Sequence, residues 1–304
     1  MSHPDQPTLS DGLLTLRPTT LAEGRLATFV VEHDGTSIGE VGVTGDGSLH
    51  WALGSDHRGH GYATRAVRVL ADWSLTDRDQ GGLGLRRIQA RVDARDDSSL
   101  RVATRSGLRR EGSQRVAAGT DRDVSEYVVL ARLADDPPLS DPASFRALLN
   151  SFLPRKRAIS QLLVRDHDGR VLLCQLTYKR DWDLPGGVVE VGESPHLAAG
   201  REVTEELALD IAPGRLVLTD WLPPWGGWDD ALCLVFDGGV HDASIVADVV
   251  RQEREIRDAR FLTPDQVRER AADFTARRIE SALANLDPAR LDGGTAYTES
   301  GRPH

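Results

Sequence analysis

Short runs of apolar residues, several of them alternating with polar ones, fill the first 133 residues of the chain. This pattern predicts alternating short strands and two helices, because a strand buries every second side chain while a helix buries positions three and four apart. The Asp34-Gly35 pair between two such runs is a strong signal for a hairpin turn. Strands are predicted at residues 13–16, 27–43 (the hairpin), 47–53, 87–92 and 126–133, and a helix is predicted over residues 66–75.

An acidic, proline-rich stretch without periodicity separates this half from the next. A short helix is expected at residues 144–153, packed on the second domain. Further apolar runs predict a hairpin, two more strands and one long helix from residue 264 to about 286. The sequence thus predicts an α/β (α+β) protein with two domains. The expected organisation is a domain at 1–133, a linker at 134–142, a domain at 143–286 and, on composition, a disordered tail at 287–304.

Composition and charge narrow the classes of partner. The 304 residues carry a net charge of -10, which disfavours nucleic acid as a partner because phosphate backbones need clustered cations. No run of apolar residues reaches the length of a membrane span, and the N-terminal residues lack the pattern of a signal peptide. We therefore expect a cytoplasmic protein that does not bind membranes. Its two cysteines, Cys174 and Cys233, lie in apolar runs that are typical of buried free thiols.

Three glutamates, Glu202, Glu205 and Glu206, share one face of a predicted helix, because a helix advances about 100° per residue. Carboxylates this close repel one another, and the repulsion favours a bound cation. Oxygen ligands select Mg²⁺ or Mn²⁺, ions that keep some of their waters and bind substrate phosphates as well. The glycine-containing turn at residues 184–187 is able to expose backbone carbonyls beside that cation.

The spacing of these residues resembles the Nudix box. Gly187 is followed after five residues by Glu193, and after seven more by Arg-Glu-Val-Thr-Glu-Glu at 201–206. The resemblance covers residues 158–286, and it implies a Nudix α/β/α sandwich that hydrolyses diphosphates. One position departs from the family pattern, since Ala208 stands where the family has glycine just past the helix.

The resemblance also implies roles for individual residues. The divalent metal ligands would be Glu202, Glu205, Glu206 and the carbonyl of Gly186. Arg201 would pair with Glu193 to steady the loop and the helix. A carboxylate of this group would deprotonate the attacking water, which makes Glu202 and Glu205, beside Arg201, the candidate catalytic residues. The family differs internally over which glutamate is the base, so the base stays open.

Residues 55–63 form a glycine loop between a predicted strand and a predicted helix, a geometry that presents backbone N–H groups to phosphate. With its Arg58-x-x-Gly61-x-Ala63 pattern, the first half resembles the GNAT N-acetyltransferase superfamily, particularly its ribosomal-protein N-terminal acetyltransferase branch. This resemblance covers residues 13–133 and implies a mixed sheet with helices that binds acetyl coenzyme A or coenzyme A. The implied cofactor-binding residues are Arg58, Gly59, His60, Gly61, Tyr62 and Ala63 at the pyrophosphate and Ser99 near the pantetheine arm.

Two departures set this half apart from that superfamily. Asp96 stands where the branch usually has asparagine. Only residues 17–26 separate the first two predicted strands, whereas the family forms there two helices that wall the acceptor site. We therefore expect a truncated module that binds coenzyme A, dimerises or braces its neighbour.

Several loop residues have two interpretations each. The tryptophan-rich loop at residues 221–230 either stacks a nucleobase or stiffens itself against apolar surface. Residues 178–180 (Tyr-Lys-Arg) either meet substrate phosphates or are solvated, and Glu253 and Glu255 are candidates for an additional metal ligand or base.

The favoured function is Mg²⁺-dependent hydrolysis of a nucleoside diphosphate linked to another group, a small-molecule substrate. One alternative is a bifunctional protein that also transfers acetyl from acetyl coenzyme A to an amine. Another is a protein that senses a nucleotide without cleaving it, or that binds coenzyme A without catalysis. A homodimer is compatible with each of these readings.

Overall fold

The computed structural model describes residues 6–20, 24–117, 124–177, 181–287 and 294–303. The chain divides into two compact units, Met1–Pro154 and Arg155–His304. Each unit combines β-sheet with α-helices, which confirms the predicted α/β (α+β) class. None of the helices in the described part of the chain is both long and apolar enough to cross a bilayer.

The first unit starts with a five-stranded antiparallel sheet whose strands follow one another in chain order. The strands are β1 (Leu9–Ser10), β2 (Leu14–Pro18), β3 (Arg25–His33), β4 (Thr36–Thr44) and β5 (Leu49–Leu53). β3 and β4 form the predicted hairpin, with φ of 49° at Asp34 and 75° at Gly35. Positive φ at both residues is what a tight two-residue turn requires.

The remaining described residues of the first unit form three α-helices and a three-stranded sheet. They are α1 (Tyr62–Leu75), β6 (Arg87–Asp93), α2 (Asp97–Arg105), β7 (Arg109–Ala117), β8 (Val124–Leu133) and α3 (Pro142–Phe152). β8 lies between β6 and β7 and pairs antiparallel with both. The core draws side chains from both sheets and from α1, among them the fully buried Phe29, Leu70, Ile88 and Leu130.

The connection between β2 and β3 is short, since it comprises only residues 19–24. An average helix alone needs about 10 to 14 residues. Two helices with their turns therefore cannot be formed between these strands. The two helices that the resemblance leads one to expect at this place therefore have no room between β2 and β3.

Helix α3 packs on the first unit, whereas the sequence predicted that it packs on the second domain. Asp141 caps its first turn by accepting a hydrogen bond from the N–H of Ser144 at 3.1 Å. The hydroxyl of Ser144 donates to the carbonyl of Pro137 at 2.8 Å and accepts from Arg109 of β7 at 3.2 Å. The first unit therefore extends to Pro154, beyond the predicted linker. The prediction was wrong because an acidic, proline-rich composition does not reveal these side-chain hydrogen bonds.

In its described residues, the second unit contains a nine-stranded sheet and three α-helices. Its elements are β9 (Arg157–Asp166), β10 (Val171–Leu176), β11 (Trp182–Asp183), β12 (Gly186–Val188), α4 (Pro195–Leu207), β13 (Leu216–Leu222), β14 (Ala231–His241), β15 (Ile256–Leu262), α5 (Pro264–Arg270), α6 (Asp273–Ala284), β16 (Ala296–Glu299) and β17 (Arg302–Pro303). The main strand order is β11-β10-β9-β14-β13-β16-β17, while β12 pairs with β9 and β15 pairs with β10.

This sheet has a hydrophobic core on each face. Leu162 and Val164 of β9 contribute to the core on the side of α4, whereas Leu163 between them contributes to the core on the side of α6. Successive side chains of a strand point to opposite faces, so a strand buried on both sides has a continuous apolar sequence. The predicted α/β/α sandwich is therefore confirmed for this unit.

The long helix predicted from residue 264 onward is divided into α5 and α6. Ala271 and Ala272 between them have extended ψ values of 157° and 146°. The backbone of Ala271 forms a parallel bridge with that of Trp182. Because alanine is the best helix former, nothing in the local sequence signals this break, and the prediction of one helix was wrong.

The C-terminal tail, predicted to be disordered, forms strands in its described part, residues 294–303. β16 pairs in parallel with β13, and β17 pairs back on β16. The side-chain amide of Asn285 donates to the carbonyl of Gly294 at 2.6 Å and anchors the start of this segment. The composition of the tail suggested disorder, but the edge of β13 supplies backbone partners that composition does not reveal.

Candidate active site

Two glycines bring the turn before the predicted acidic helix against β9. Gly186 lies opposite Gln161 of β9, and its φ is +138°. A Cβ on Gly186 would lie 2.2 Å from the carbonyl oxygen of Ser160. A Cβ on Gly187 would lie 2.6 Å from the carboxylate of Glu202. Both positions therefore require glycine, the first for backbone geometry and the second to admit a carboxylate.

The acidic helix is α4. It begins after Ser194 with a proline at its first position, where the missing N–H costs nothing. It ends at Ala208, which adopts the left-handed conformation with φ of 57° and ψ of 25°. An alanine enters this conformation at a cost of about 1 to 2 kcal/mol. The hydroxyl of Thr204 donates to the carbonyl of Leu209 across the turn at 3.2 Å, so the exit forms with alanine as well.

Glu206 is the most buried of the three glutamates, with 4% exposure. Its carboxylate accepts a hydrogen bond from the N–H of Gly186 at 3.0 Å. Burial, with the negative charges of Glu202, Glu255 and Asp183, raises the pKa of Glu206 to about 8, against the opposing effect of that hydrogen bond. A buried carboxylate in this setting requires either a proton or a cation at neutral pH.

Arg201 joins the loop before α4 to the acidic face of the helix. Its guanidinium binds both carboxylate oxygens of Glu193, at 2.8 and 3.0 Å. The same guanidinium donates to Glu202 at 2.9 Å and to Glu205 at 2.8 Å. The pKa of Glu193 is lowered, first by its hydrogen bonds with Arg201. Arg201 therefore orients Glu202 and Glu205 on the acidic face. Through its pair with Glu193, it also fixes the loop before α4.

The three glutamates interact as one cluster. Burial raises the pKa of Glu202, and the charges of Glu205 and Glu255 act in the same direction against Arg201. The charge of Glu202 in turn raises the pKa of Glu206. Glu202 and Glu205 are hydrogen-bonded to the same guanidinium, and Glu206 lies one turn beyond Glu202 on the same helix. We refer to Glu202, Glu205 and Glu206 as the acidic cluster.

The chemistry of the acidic cluster fits a hard divalent cation. Among the described residues, no three His, Cys, Asp or Glu side chains converge closely enough to be recognised as a metal site. Arg201 draws Glu202 and Glu205 to itself, whereas Glu206 faces Gly186. The donors are nevertheless carboxylate oxygens, and burial together with neighbouring negative charge raises the pKa of Glu202 and of Glu206. A divalent cation offsets both effects, and oxygen ligands are those that Mg²⁺ prefers.

A loop outside the predicted box brings Glu255 to the cluster. The N–H groups of Gln252 and Val250 donate to the carbonyls of Glu206 and Leu207, at 2.9 and 3.0 Å. These bonds dock the loop on the last turn of α4. The charge of Glu255 raises the pKa of both Glu202 and Glu206. Of the two later acids that the sequence offered as candidates, Glu255 is therefore the one that we associate with the cluster.

Asp183 was missed by the sequence analysis. It is buried on β11, with 8% exposure, and its carboxylate accepts from the side chain of Gln161 at 3.0 Å and from the N–H of Leu184 at 2.9 Å. Its charge also raises the pKa of Glu206. The sequence does contain a signal for Asp183, because an acidic residue between the apolar Trp182 and Leu184, just before the glycine turn, is typical of a buried carboxylate near a site.

The tryptophan-rich loop at residues 221–230 leaves two indoles accessible. Trp225 and Trp228 are 68% and 60% exposed. The guanidinium of Arg157 lies 4.7 Å from the ring centre of Trp228, and the ring of Phe274 lies 6.0 Å from that of Trp225. More than half of each indole is nevertheless exposed, as stacking of a base requires. The other predicted phosphate contacts, residues 178–180, lie outside the described part of the chain.

In the first unit, the glycine loop before α1 exposes the backbone of the helix start. Gly59 and Gly61 both have φ of 80°, and Gly61 caps α1 without a side-chain hydrogen bond to its first amides. The ring of His60 stacks on that of Tyr62 at 5.5 Å, while Arg58 donates to the carbonyl of Leu53 at 3.3 Å. Free amides at a helix start form a site for an anion such as a phosphate. The loop ends at Ala63, inside the first turn of α1.

Ser99 lies in the first turn of α2. Its N–H donates to the carboxylate of Asp96 at 3.0 Å, so Asp96 is the N-cap of that helix. Hydrogen bonds from Ser98 and Ser99 lower the pKa of Asp96 to about 2. The aspartate that departs from the family pattern is therefore an ordinary helix cap.

Comparisons with known proteins match both halves of the chain. The NUDIX domain model matches residues 154–282. A MutT-like protein of Streptomyces ambofaciens is 32% identical over 135 residues, which cover 43% of this chain and 79% of that protein. Nucleoside triphosphatase NudI of Escherichia coli O1:K1 / APEC is 32% identical over 112 residues, which cover 34% of this chain and 74% of that protein.

The model of the acetyltransferase (GNAT) domain matches residues 6–109. Among solved structures, Mycobacterium smegmatis RimJ in complex with CoA-disulfide is 26% identical, with a TM-score of 0.32, and the match covers 42% of this chain and 61% of that one. Both resemblances inferred from motifs are thus confirmed.

Proposed function

The chain belongs to the Nudix hydrolase family through residues 154–282, and on this premise we propose that it catalyses Mg²⁺-dependent hydrolysis of a nucleoside diphosphate linked to another group. The observation that carries the proposal is the acidic cluster. Glu206 is buried against the N–H of Gly186, and Glu202 occupies the space that a side chain at Gly187 would fill. Such an arrangement concentrates negative charge where water is thin, which favours a divalent cation and, through it, a diphosphate.

The residues that would hold Mg²⁺ are Glu202, Glu205, Glu206 and the carbonyl oxygen of Gly186. When bound there, the ion neutralises charge on the phosphate oxygens and lowers the pKa of a water molecule. Arg201 contributes by orientation, because its guanidinium contacts both Glu202 and Glu205. We assign it a positioning role rather than a contact with substrate.

Proton transfer falls to Glu202 or Glu205. The side chain of Glu205 is 53% exposed and that of Glu202 is 15% exposed, so each has access to solvent on the acidic face. Glu206 is less suited to this task, since it is buried and hydrogen-bonded to Gly186. A general base contributes about 10²- to 10⁴-fold to the rate. Comparing kcat for Glu202→Gln and Glu205→Gln therefore identifies the base by the larger loss.

Nucleoside recognition is supported by the aromatic faces of Trp225 and Trp228. Both are exposed in the loop at residues 221–230, and the guanidinium of Arg157 lies over Trp228. A stacked base contributes about 1 to 3 kcal/mol. NudI is named a nucleoside triphosphatase, which directs the first choice of substrate to nucleoside triphosphates.

The test is a screen of nucleoside triphosphates, sugar nucleotides and dinucleotides with Mg²⁺, in which release of phosphate, pyrophosphate or nucleotide is measured. The wild type is expected to cleave members of this panel, and the double variant Glu205→Gln/Glu206→Gln is expected to lose the activity with its fold intact. Undiminished hydrolysis by that variant would refute the assignment of the cluster. The third reading, a sensor that does not cleave, requires nucleotide binding without turnover by the wild type.

A second function, binding of coenzyme A, is supported by the first unit. The start of α1 presents its amides without a side-chain cap, and Gly59 and Gly61 hold the loop open with φ of 80°. Only residues 19–24 connect β2 and β3, too few for two helices that would wall an acceptor site, so we expect binding rather than efficient acetyl transfer. Calorimetric titration with acetyl coenzyme A tests the binding, and turnover over a panel of amines tests the transfer. Turnover would support the bifunctional reading instead.

A further inference from the structure

The second unit contains a buried ion pair that lies outside the acidic cluster. The Nε of Arg278 on α6 donates to Asp220 of β13 at 2.8 Å, and the two side chains are 2% and 0% exposed. Charged groups so deeply buried are expensive to desolvate, and replacing such a pair by apolar residues is often neutral or stabilising. Its presence therefore calls for a role other than stability.

The ion pair is connected to the glycine turn at the acidic cluster. Arg278 donates through Nη1 to the side-chain oxygen of Gln161 at 3.0 Å. The side-chain nitrogen of Gln161 donates to Asp183 at 3.0 Å and to the carbonyl of Leu184 at 3.3 Å. The orientation of Gln161 is thereby fixed, because Arg278 can only donate and the carbonyl of Leu184 can only accept.

The turn held by Gln161 leads directly into the cluster. Gly186 pairs with the backbone of Gln161 in the β12–β9 ladder, and the carbonyl of Pro185 accepts from the N–H of Leu162 at 3.0 Å. Gly186 then donates its N–H to Glu206. A displacement of Gln161 is thus transmitted to the backbone that holds Glu206.

At its other end, the ion pair is completed by the C-terminal strands. The remaining oxygen of Asp220 accepts from the hydroxyl of Thr298 on β16 and from the N–H of Gly301, both at 2.8 Å. Gly301 has φ of +73°, and a Cβ there would lie 2.6 Å from the backbone nitrogen of Arg278. Thr298 and Gly301 lie beyond the part of the chain that matches the NUDIX domain model, which ends at residue 282.

We propose that the C-terminal strand positions the glycine turn of the hydrolytic site through a buried hydrogen-bond chain formed by Asp220, Arg278 and Gln161. Thr298 and Gly301 hold the carboxylate of Asp220 by hydrogen bonds, and Asp220 in turn holds the guanidinium of Arg278. Arg278 orients the side chain of Gln161, which holds the segment 183–186 through Asp183 and Leu184. These are positioning residues, since none of them contacts the acidic carboxylates directly. The inference rests on the proposed function, because the hydrogen-bond chain is assigned to the Mg²⁺ site of the proposed hydrolase.

The test measures Mn²⁺ binding to the full-length chain by calorimetric titration. Thr298→Val removes the hydroxyl that donates to Asp220 and keeps the shape of a side chain with 1% exposure. Thr295→Val is the matched control, because it makes the same change just before β16, where the residue is exposed and its hydroxyl donates to the carbonyl of Leu216. Outer partners of metal ligands typically contribute about 10- to 100-fold to metal affinity. Because Thr298 acts through several bonds, we expect Thr298→Val to weaken Mn²⁺ binding by about threefold to tenfold, with Thr295→Val unchanged.

A second variant changes the other end of the hydrogen-bond chain and keeps the inference testable if Thr298→Val does not fold. Gln161→Glu keeps an acceptor for Arg278 but removes the nitrogen that donates to Asp183 and Leu184. We expect it to weaken Mn²⁺ binding by about tenfold. In the double variant, Thr298→Val is expected to add no further loss, because its effect passes through Gln161.

Three outcomes bear on the inference. Losses that multiply in the double variant would mean that the two residues act independently, and this would overturn it. A lower Tm for Thr298→Val with unchanged Mn²⁺ affinity would also overturn it, since the strand would then serve stability alone. If the wild type takes up no Mn²⁺ and cleaves no nucleotide, the proposed function itself fails. If the wild type binds Mn²⁺ and Thr298→Val binds it equally well, only the positioning role of the C-terminal strand fails.

Discussion

Replacing Glu206 with glutamine is expected to stabilise the metal-free protein at alkaline pH. Burial and neighbouring negative charges raise the pKa of this carboxyl group from 4.5 to about 8. A group with a higher pKa in the folded state contributes stability that is fully present below about pH 4.5 and is lost as the pH rises to about 8. The difference between 8 and 4.5, at about 1.4 kcal/mol per pKa unit, corresponds to about 5 kcal/mol.

The assay is scanning calorimetry in EDTA between about pH 4.5 and about pH 8. At the acid end, wild type and Glu206→Gln should unfold at similar temperatures, because the carboxyl group is protonated in the folded state and still about half protonated in the unfolded chain. Since 1 kcal/mol shifts the Tm of a unit of this size by about 2 to 4 °C, the variant should exceed the wild type by about 10 °C or more at the alkaline end. Mg²⁺ should raise the Tm of the wild type and have less effect on the variant.

The matched control is Glu205→Gln, which changes a half-exposed glutamate on the same helix. It shows how the loss of a half-exposed carboxylate from α4 changes the Tm, apart from any effect of burial. Parallel Tm profiles for the wild type and Glu206→Gln across the whole range would refute the reasoning, since they would mean that Glu206 titrates at the same pH in the folded and unfolded chains.

Three further substitutions test the backbone conformations at the two sites. Gly187→Ala should lower kcat by about 100-fold with a small change in Tm, because its Cβ would lie 2.6 Å from the Glu202 carboxylate and displace it; an unchanged kcat would contradict this. Ala208→Gly should raise the Tm by about 2 to 4 °C, because glycine removes about 1 kcal/mol of strain at a φ of 57°. Gly61→Ala should weaken binding of coenzyme A in a calorimetric titration, because a φ of 80° is strained for alanine and the loop would relax. Equal affinity for both proteins would count against this loop as the binding site.

Local patterns in the sequence were sufficient for the features that depend on neighbouring residues. The Asp34-Gly35 turn follows from the positive φ that its two residues tolerate. The shared face of Glu202 and Glu206 follows from the helical period. The α/β/α sandwich followed from the resemblance to the Nudix box, and the strand patterns agree with it.

Features that depend on distant partners could not be predicted in this way. Helix α3 docks on β7 through hydrogen bonds of Ser144, and the break between α5 and α6 follows from the bridge of Ala271 to Trp182. The C-terminal strand forms because β13 offers an unpaired edge. In each case the deciding partner lies far away in the chain, so composition and local propensity carry no information about it.

The sequence by itself determined which carboxylates share the acidic face of α4, because the helical period sets their directions within a few residues. Only the tertiary structure decided how strongly each holds its proton and what holds them in place. The raised pKa of Glu206 depends on burial and on the charges of Glu255 and Asp183, and these come together only when the loop and the strand pack against the helix. Desolvation and Coulomb interaction depend on distance in space, and that distance is not written in the spacing of residues along the chain.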